Sequence, residues 1–304
     1  MIEPVEILWQ PAGTSLPTLG SRALVDVTDG DTPNIRMPVR MLSVDTPEVT
    51  ARSDARAATI DRNFAELAAW IREGRAPVTA AYAEYLLPKL ETGRPGTLQR
   101  QQGRHASAFL KERIAARLAR PGGGEPRSLF VRTTEQPFDD HGRLLAYLAP
   151  SYSPRELAEL TRKQRATFNL DLIESGWAAP FVIYPSIPGE LDLPLFLEAA
   201  VGAIGAGVGI WADEPETLLA YEYRSVERLH AVTERIVEGK PVEARERFAW
   251  RERYCADMRD RRLHGPEDYV AVPPPYRLWL WPRDVAEAVS RLNLVPAPRL
   301  VGVG

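Results

Sequence analysis

The chain has 304 residues, 44% of them hydrophobic and 26% charged, a composition typical of a soluble globular protein with one large or two modest domains. Its net charge of −3 does not favour a polyanionic partner, so any nucleic-acid site must be local. One cysteine, and four histidines without close-pair spacing, argue against disulfide frameworks and zinc sites. We see no secretion signal and no apolar run of about 20 residues, so we expect a cytoplasmic protein without a membrane span.

The first elements predict a small sheet unit with acidic residues at the strand ends. Residues 22–27 alternate apolar and polar positions, which is typical of a half-buried strand. Residues 28–31, TDGD, predict a turn because Asp-Gly tolerates positive φ. Residues 35–44 predict a second strand, and the proline in the DTPE that follows must end it.

The composition becomes rich in alanine, arginine and glutamate over residues 49–102. Apolar residues at helical spacing predict helices at 61–73 and 78–90, and a loop follows up to residue 103. Because this insertion leaves the chain directly after Glu48, two interpretations stay open. It folds over the site as a lid or substrate selector, or it is a helical hairpin packed elsewhere on the fold.

The rest of the chain alternates helical and extended patterns. The predicted elements are a helix at 106–119, strands at 128–134 and 143–148, helices at 155–165 and 169–175, and a helix from residue 193. We place a domain boundary near 212–216. Beyond it, the pattern predicts helices at 215–238, 241–262 and 283–292. Acidic residues interrupt the arginines and aromatics of 245–262, which favours a solvated helix over a nucleic-acid-binding face.

Oxygen donors and arginines lie where the predicted strands end. Clustered carboxylates are unfavourable unless a cation or an arginine lies between them, so the pattern indicates a site for a hard cation and a phosphate. Calcium prefers carboxylate and carbonyl oxygens, and forked guanidinium groups suit a phosphate. The candidate residues are the oxygen donors Asp31, Asp45, Thr46 and Glu48, with the arginines Arg40 and Arg143.

Six short segments carry a resemblance to a known family. In chain order they are VDVTDGDT at 25–32, VRMLSVDTPE at 39–48, ASAFLKE at 106–112, DDHGRLLAYL at 139–148, NLDLIESGWA at 169–178 and GIW at 209–211. Together and in this order they resemble the staphylococcal nuclease (thermonuclease) family. The resemblance covers roughly residues 22–48 and 103–212, and the insertion and the residues after 212 have no counterpart in the minimal family domain.

The resemblance implies an α+β fold, with a five-stranded OB-type β-barrel and packed helices. On this basis residues 1–212 are a staphylococcal-nuclease-like OB-fold domain that carries a helical insertion at about 49–102. Residues 213–304 are then a mainly helical C-terminal region. We leave open whether these C-terminal helices bind a protein partner or self-associate.

The resemblance also implies the chemistry. It places Ca²⁺ on Asp31, Asp45 and the Thr46 carbonyl, and it makes Glu48 the general base that activates a water molecule. It gives the phosphate contacts to Arg40 and Arg143. The implied activity is that of a hydrolase, an endonuclease that cleaves phosphodiester bonds of DNA and RNA with the 5′ oxygen as leaving group.

The sequence departs from the family pattern near the expected nucleotide. Where the family has a pair of tyrosines, this chain has Val182 and Tyr184, so only Tyr184 is carried over as a substrate-binding residue. The turn before Arg143 has Asp140 and His141 where the family has lysine and tyrosine. An anion in place of a cation beside a phosphate predicts weaker substrate binding than in the basic members of the family.

Two other classes of function remain as alternatives. The first is a non-catalytic OB-fold module that binds single-stranded nucleic acid, which has no need of acidic residues beside two arginines. The second is an adaptor protein whose C-terminal helices recruit a partner. The intact set of three acids beside two arginines argues against the binding module, and the adaptor stays open.

Overall fold

The computed structural model describes residues 19–49, 53–120 and 122–298. Within them the chain is α+β, as predicted, with nine α-helices and three sheets. The chain divides into two compact units. The first contains residues up to 40 together with 132–146, and the second contains 41–131 and 147–304.

The strands are β1 Ala23–Val27, β2 Pro33–Arg36, β3 Val39–Met41, β4 Ser43–Asp45, β5 Leu129–Phe138, β6 Leu144–Pro150, β7 Ala179–Ile183, β8 Tyr254–Asp257, β9 Arg262–His264, β10 Arg277–Leu280 and β11 Val295–Pro296. The helices are α1 Asp54–Arg72, α2 Ala80–Leu90, α3 Pro95–Leu118, α4 Pro154–Glu159, α5 Phe168–Glu174, α6 Leu193–Ala206, α7 Ala220–Val237, α8 Ala244–Arg247 and α9 Val285–Leu292. Sheet orders are β1-β2, β3-β6-β5 and β11-β9-β8-β10-β7-β4.

The predicted hairpin at the start of the chain is present in the first unit. Strands β1 and β2 pair antiparallel, and the Thr28 N–H donates to the Thr32 carbonyl at 3.0 Å across the turn. The long second strand predicted at 35–44 is wrong in extent, because it is divided into β2, β3 and β4. Pro38 interrupts it first, and Ser43 then adopts a left-handed φ of 59°.

The six-stranded sheet joins the middle of the chain to its C-terminal region. Strand β4 pairs antiparallel with β7, β7 pairs parallel with β10, and β10 pairs antiparallel with β8. The helix predicted at 241–262 is therefore wrong. It contains only the four-residue α8 and then β8, whose Cys255 and Ala256 are buried. Pairing with β10 overrides a local pattern of charges that suggested a helix.

The insertion and the C-terminal region share one hydrophobic core. Phe64 and Leu67 of α1 and Tyr82 of α2 are buried in the same cluster as Tyr223 and Val226 of α7. The structure confirms a helix, with different bounds, in each of three predicted segments: 61–73, 78–90 and 215–238. The insertion helices therefore pack into the hydrophobic core of the second unit.

The predicted boundary near 212–216 lies inside the second unit. Thr217 is fully buried, and its carbonyl accepts from Lys89 Nζ at 2.7 Å. Gln102 Nε2 donates to the Thr217 hydroxyl at 3.0 Å and to Asp213 at 3.0 Å. Two helices of the insertion therefore anchor the segment that the sequence marks as a boundary.

Helix α3 begins at Pro95, well before the predicted start at residue 106. Proline suits the first turn of a helix, where its missing N–H costs nothing. The free N–H groups of Gly96 and Thr97 donate to Asp61 of α1 at 2.7 and 3.0 Å. The capping residue, Asp61, lies 35 positions before Gly96. No local pattern therefore marks the start of α3, and the sequence predicts a loop before residue 103.

One described segment, Leu193–Asp213, has the length and apolar composition of a membrane span. It contains α6, and 22% of its most apolar window is buried. Length and composition alone do not distinguish such a helix from one in a soluble protein. The cytoplasmic location thus stays a prediction.

Candidate functional site

The predicted site residues fall in both units. The first unit contains Asp31, Arg40 and Arg143, and the second contains Asp45, Thr46, Glu48 and Tyr184.

In the first unit, Asp31 is exposed in the turn between β1 and β2. It accepts a hydrogen bond from the hydroxyl of Thr32 at 3.1 Å. Hydrogen bonds from Thr32 and from Asp31 lower the pKa of the neighbouring Asp29. Arg40 is half-buried in β3. The turn therefore presents the Asp31 carboxylate to solvent.

Arg143 is paired with the turn that precedes β6. Its Nε donates to Asp139 at 2.7 Å, and its backbone N–H donates to the same carboxylate at 2.9 Å. Burial opposes ionisation of Asp139, but the hydrogen bonds and charge of Arg143 outweigh it and lower the pKa of Asp139. The His141 N–H also donates to Asp139 at 2.9 Å, as expected of a turn-forming aspartate.

In the second unit, Asp45 ends β4 opposite Ala179 of β7, and its side chain is completely buried. The next residues leave the sheet, with Thr46 half-buried and Pro47 buried. They bring Glu48 back to the same side, where its side chain is 24% exposed. A buried carboxylate requires a charged or hydrogen-bonding partner close by.

Helix α3 packs against the loop that carries Pro47 and Glu48. A Cβ at Gly103 would lie 2.7 Å from the Pro47 carbonyl oxygen and 3.1 Å from the Glu48 carbonyl carbon, so only glycine permits this contact. With its amide oriented for hydrogen bonding, Gln99 accepts from the Glu48 N–H at 3.0 Å and donates to the Leu218 carbonyl at 3.1 Å. The insertion thus fixes the backbone of Glu48.

The partner of both acids is Arg224, on α7. Its Nη2 donates to Asp45 Oδ2 at 2.7 Å, and its Nη1 donates to Glu48 Oε1 at 2.5 Å and to Asp45 Oδ1 at 3.3 Å. The guanidinium therefore forks between the two carboxylates that the sequence assigns to catalysis and metal binding. We call Asp45, Glu48 and Arg224 the arginine clamp.

The electrostatics of the arginine clamp favour a permanent positive charge on Arg224. Burial alone lowers the pKa of Arg224, but the charges of Asp45 and Glu48, and the hydrogen bonds to them, outweigh burial and raise that pKa above its usual value. One turn further along α7, burial and the charge of Glu48 raise the pKa of Glu227. Arg224 therefore keeps its positive charge beside the two carboxylates.

A second arginine of the C-terminal region, Arg253, lies beside the clamp. Arg253 is mostly buried between the rings of Phe181 and Trp281, at 5.1 and 4.9 Å from their centroids. Burial and the charge of Arg224 lower the pKa of Arg253, while its ion pair with Glu252 at 3.0 Å opposes them. Stacking on two rings holds this guanidinium in place.

Tyr184 lies away from the clamp. Asp45 pairs with Ala179 at the start of β7, and Tyr184 follows the other end of that strand. Tyr184 therefore lies roughly 16 Å along the strand from Asp45. Its side chain is 5% exposed and packs in a cluster with Leu278, Leu280 and Ala288 of the C-terminal region. Its substrate contact stays a prediction, and its packing is that of a core residue.

The arrangement around Asp45 does not fit a calcium ion. Calcium takes six to eight oxygen ligands, and both oxygens of Asp45 already accept hydrogen bonds from Arg224. Across the residues that the structure describes, no group of three or more histidine, cysteine, aspartate or glutamate side chains is arranged to hold a metal ion. In place of a metal, a guanidinium joins the two acids.

Arg224 was missed at the level of sequence. It lies in a helix with many charges, where an arginine is usually solvated. The available signal was its position on α7 between the buried Tyr223 and Val226, at the edge of the apolar face. That position predicts a partly buried arginine, but its partners lie about 180 residues earlier in the chain and leave no trace in the local pattern.

Comparison of the chain with known protein families finds no match, and comparison with curated proteins finds none either.

Proposed function

We propose that the chain is a nuclease of the staphylococcal-nuclease type, which hydrolyses phosphodiester bonds of DNA or RNA. In this proposal residues 22–48 and 103–212 form an OB-type barrel, with the insertion and the C-terminal region added to it. The six motifs in family order support this assignment.

The observation that carries the proposal is the convergence of Asp45 and Glu48. The sequence assigns both to one site, and in the second unit both contact the same guanidinium, at 2.7 and 2.5 Å. A shared cation offsets the repulsion between two neighbouring carboxylates. The shared contact brings together the two acids to which the resemblance gives metal binding and the general-base role.

The roles in the proposal follow from the side chains. Glu48, which is partly exposed, acts as the general base that takes a proton from the attacking water, a contribution of about 10²–10⁴ in rate. Arg40 and Arg143 stabilise the charge that develops on the phosphoryl group, and loss of such a donor costs about 10²–10³. Asp139 holds Arg143 in position for this role.

Calcium dependence is part of the proposal as an expectation from the sequence, with Asp31, Asp45 and Thr46 as the residues concerned. A calcium ion would supply positive charge to the reacting phosphate. Because the arginine clamp does not fit the ion, none of the roles above depends on it.

A second function is favoured by one observation. Arg224 engages both Asp45 and Glu48, and an acid held in an ion pair is not free to accept a proton from water. This favours a protein of the same fold that binds nucleic acid, or recruits a partner through its C-terminal region, without hydrolysis.

A digestion assay with matched variants separates the two functions. Purified wild type, Glu48→Gln and Glu246→Gln are incubated with single-stranded DNA, double-stranded DNA and RNA, each with calcium or with a chelator. Glu246 is the control because it is an exposed acid paired with an arginine, Arg235 at 3.1 Å, outside the clamp. Binding of the same nucleic acids is measured in parallel.

The nuclease proposal predicts hydrolysis by wild type and Glu246→Gln, and a loss of about 10²–10⁴ in Glu48→Gln. Equal activity in Glu48→Gln and wild type would contradict the role of Glu48. Binding without hydrolysis in every condition would establish the second function instead.

A further inference from the structure

The segment that follows α7 differs from the solvated helix that the sequence favours. Helix α8 has only four residues, and the chain continues from it to β8 without further helix. The acids of this segment argue against a nucleic-acid-binding face only if they remain free to repel a phosphate. Their partners in the structure therefore decide the question.

All four acids of residues 245–262 are paired with arginines. The pairs are Glu246–Arg235 at 3.1 Å, Glu252–Arg253 at 3.0 Å, Asp257–Arg259 at 2.6 Å and Asp260–Arg262 at 3.4 Å. Each carboxylate thus has a cationic partner within the protein. The segment repels a polyanion less than its sequence suggests.

Two arginines of α8 remain at the surface. Arg245 and Arg247 are exposed, and neither side chain forms an ion pair with any residue that the structure describes. A guanidinium binds a phosphate through two parallel N–H groups. These two arginines therefore have donors available for an external anion.

An exposed aromatic ring follows directly in the chain. Phe248 is 38% exposed, and the guanidinium of Arg251 lies 4.0 Å from its ring centroid. Arg251 is in turn paired with the buried Glu267, which holds the stack in place. Bases that are not already stacked in a duplex pack on aromatic rings and on guanidinium planes. We call Arg245, Arg247, Phe248 and Arg251 the arginine–aromatic strip.

The strip leads to the arginine clamp. Trp250 lies two residues beyond Phe248, and its carbonyl accepts from the Ser225 hydroxyl of α7 at 2.9 Å. Ser225 is the residue after Arg224, which contacts both acids of the clamp. A strand bound on the strip therefore lies beside the side of α7 that carries the partner of Glu48.

We propose that the arginine–aromatic strip binds single-stranded nucleic acid and directs the strand toward Glu48. Arg245 and Arg247 hold its phosphates, and Phe248 with Arg251 stacks against a base. This inference rests on the proposed function in taking nucleic acid as the substrate, and it deepens that function by naming single strands as the preferred form. Binding itself requires no hydrolysis.

A surface for an acidic protein makes a different prediction. Exposed arginines attract any polyanion, and this attraction depends on charge alone. A base also needs the aromatic ring. Loss of binding on removal of Phe248 therefore separates a site for single strands from a general basic patch.

The test is fluorescence anisotropy with the full chain and three labelled probes: oligothymidylate, oligouridylate of the same length, and a DNA duplex. A chelator is present throughout, so that calcium-dependent hydrolysis does not consume the probe. Wild type is compared with the double variant Arg245→Gln/Arg247→Gln and with Phe248→Leu. Each titration is repeated over a range of salt concentrations.

We expect wild type to bind a single strand more tightly than the duplex. Because each phosphate contact to a single strand adds about 0.7 to the salt slope, Arg245→Gln/Arg247→Gln should lower that slope by about 1.4. Phe248→Leu should weaken single-strand binding by about five-fold or more, the loss expected when one base loses its stacking partner, and should leave the salt slope unchanged.

The matched control is Arg155→Gln/Arg165→Gln, which removes the same charge from two exposed arginines outside the strip. We expect its affinities and salt slope to equal those of wild type. Equal binding by wild type and both strip variants, an equal loss in the control, or tighter binding of the duplex would overturn the proposal. A loss confined to the arginine variant would show a general basic patch and would also overturn it.

A failure of the nuclease proposal would have a different appearance. It would show in the digestion assay as binding without hydrolysis, and it would leave the effects of the strip variants on affinity intact. Hydrolysis by a wild type whose binding does not depend on the strip would be the reverse result.

Discussion

At the scale of single residues, the buried ion pair between Glu222 and Arg277 of the C-terminal region also contacts the insertion, through Tyr85. Glu222 of α7 accepts from the Tyr85 hydroxyl at 2.7 Å and from Arg277 of β10 at 3.4 Å. Arg277 in turn donates to the Tyr221 hydroxyl at 2.6 Å. Burial raises the pKa of Tyr85 well above its usual value, and the charge of Glu222 adds to this, so the tyrosine stays protonated and donates.

Breaking this pair should be costly because the remaining charge is buried. We expect Arg277→Met to lower the free energy of unfolding by about 3–5 kcal/mol, measured by urea titration. The double variant with Glu222→Gln should recover part of the loss, since no charge then remains unpaired. As a control, Arg291→Met removes an exposed partner of Glu287 and should change stability by less than about 1 kcal/mol. A loss of that small size in Arg277→Met would show that Glu222 is not dependent on its partner.

The two acids of the arginine clamp could be predicted from the sequence, and Arg224 could not. Asp45 and Glu48 are three positions apart at the end of a strand, so their proximity follows from local geometry. Arg224 reaches them only because α7 packs on α1, which depends on the tertiary fold. Arg143 was readable as a turn residue, but its hydrogen bonds to Asp139 depend on the geometry of that turn.

At the scale of elements, helix α3 positions the loop that carries Glu48. Gly103→Ala would normally stabilise a helix, by roughly 0.5–1 kcal/mol. Here the added methyl group collides with the Pro47 carbonyl at 2.7 Å. We expect a net loss of about 1–3 kcal/mol in thermal unfolding, as for other overpacked sites.

The matched control lies in α6. A Cβ at Gly205 meets nothing within 4 Å, so Gly205→Ala should stabilise the protein by up to about 1 kcal/mol. Opposite signs for the two glycines would support the contact between α3 and the loop. A stabilising effect of Gly103→Ala would mean that the loop is free to move away from the helix.

Element types were predictable wherever the signal was local. Helices α1, α2, α7 and α9 follow from apolar residues at helical spacing, and the first hairpin follows from Asp-Gly. The failures have non-local causes. The start of α3 depends on a cap from Asp61, and β8 is a strand only because β10 and β9 pair with it.

At the scale of the whole molecule, the insertion and the C-terminal region form parts of one folding unit. Strand β10 pairs with β7, and α7 shares a core with α1 and α2. We therefore expect a chain that ends at residue 212 to lose cooperative thermal unfolding, because it exposes the apolar side of both insertion helices. Circular dichroism would report this.

The matched experiment adds residues 213–304 back as a separate chain. If the two parts share a core, the mixture should recover a cooperative transition that neither shows alone. Cooperative unfolding of the shortened chain by itself would contradict a single unit and would support the predicted boundary near residue 212.

The measurement that tests the account most directly is a double-mutant cycle across the arginine clamp. Unfolding free energies are measured for wild type, Arg224→Gln, Asp45→Asn and the double variant. Because both oxygens of Asp45 contact Arg224, we expect a coupling energy of about 1–3 kcal/mol. Additive effects of the two substitutions would contradict the clamp, and with it the pairing of the C-terminal region with the predicted catalytic acids.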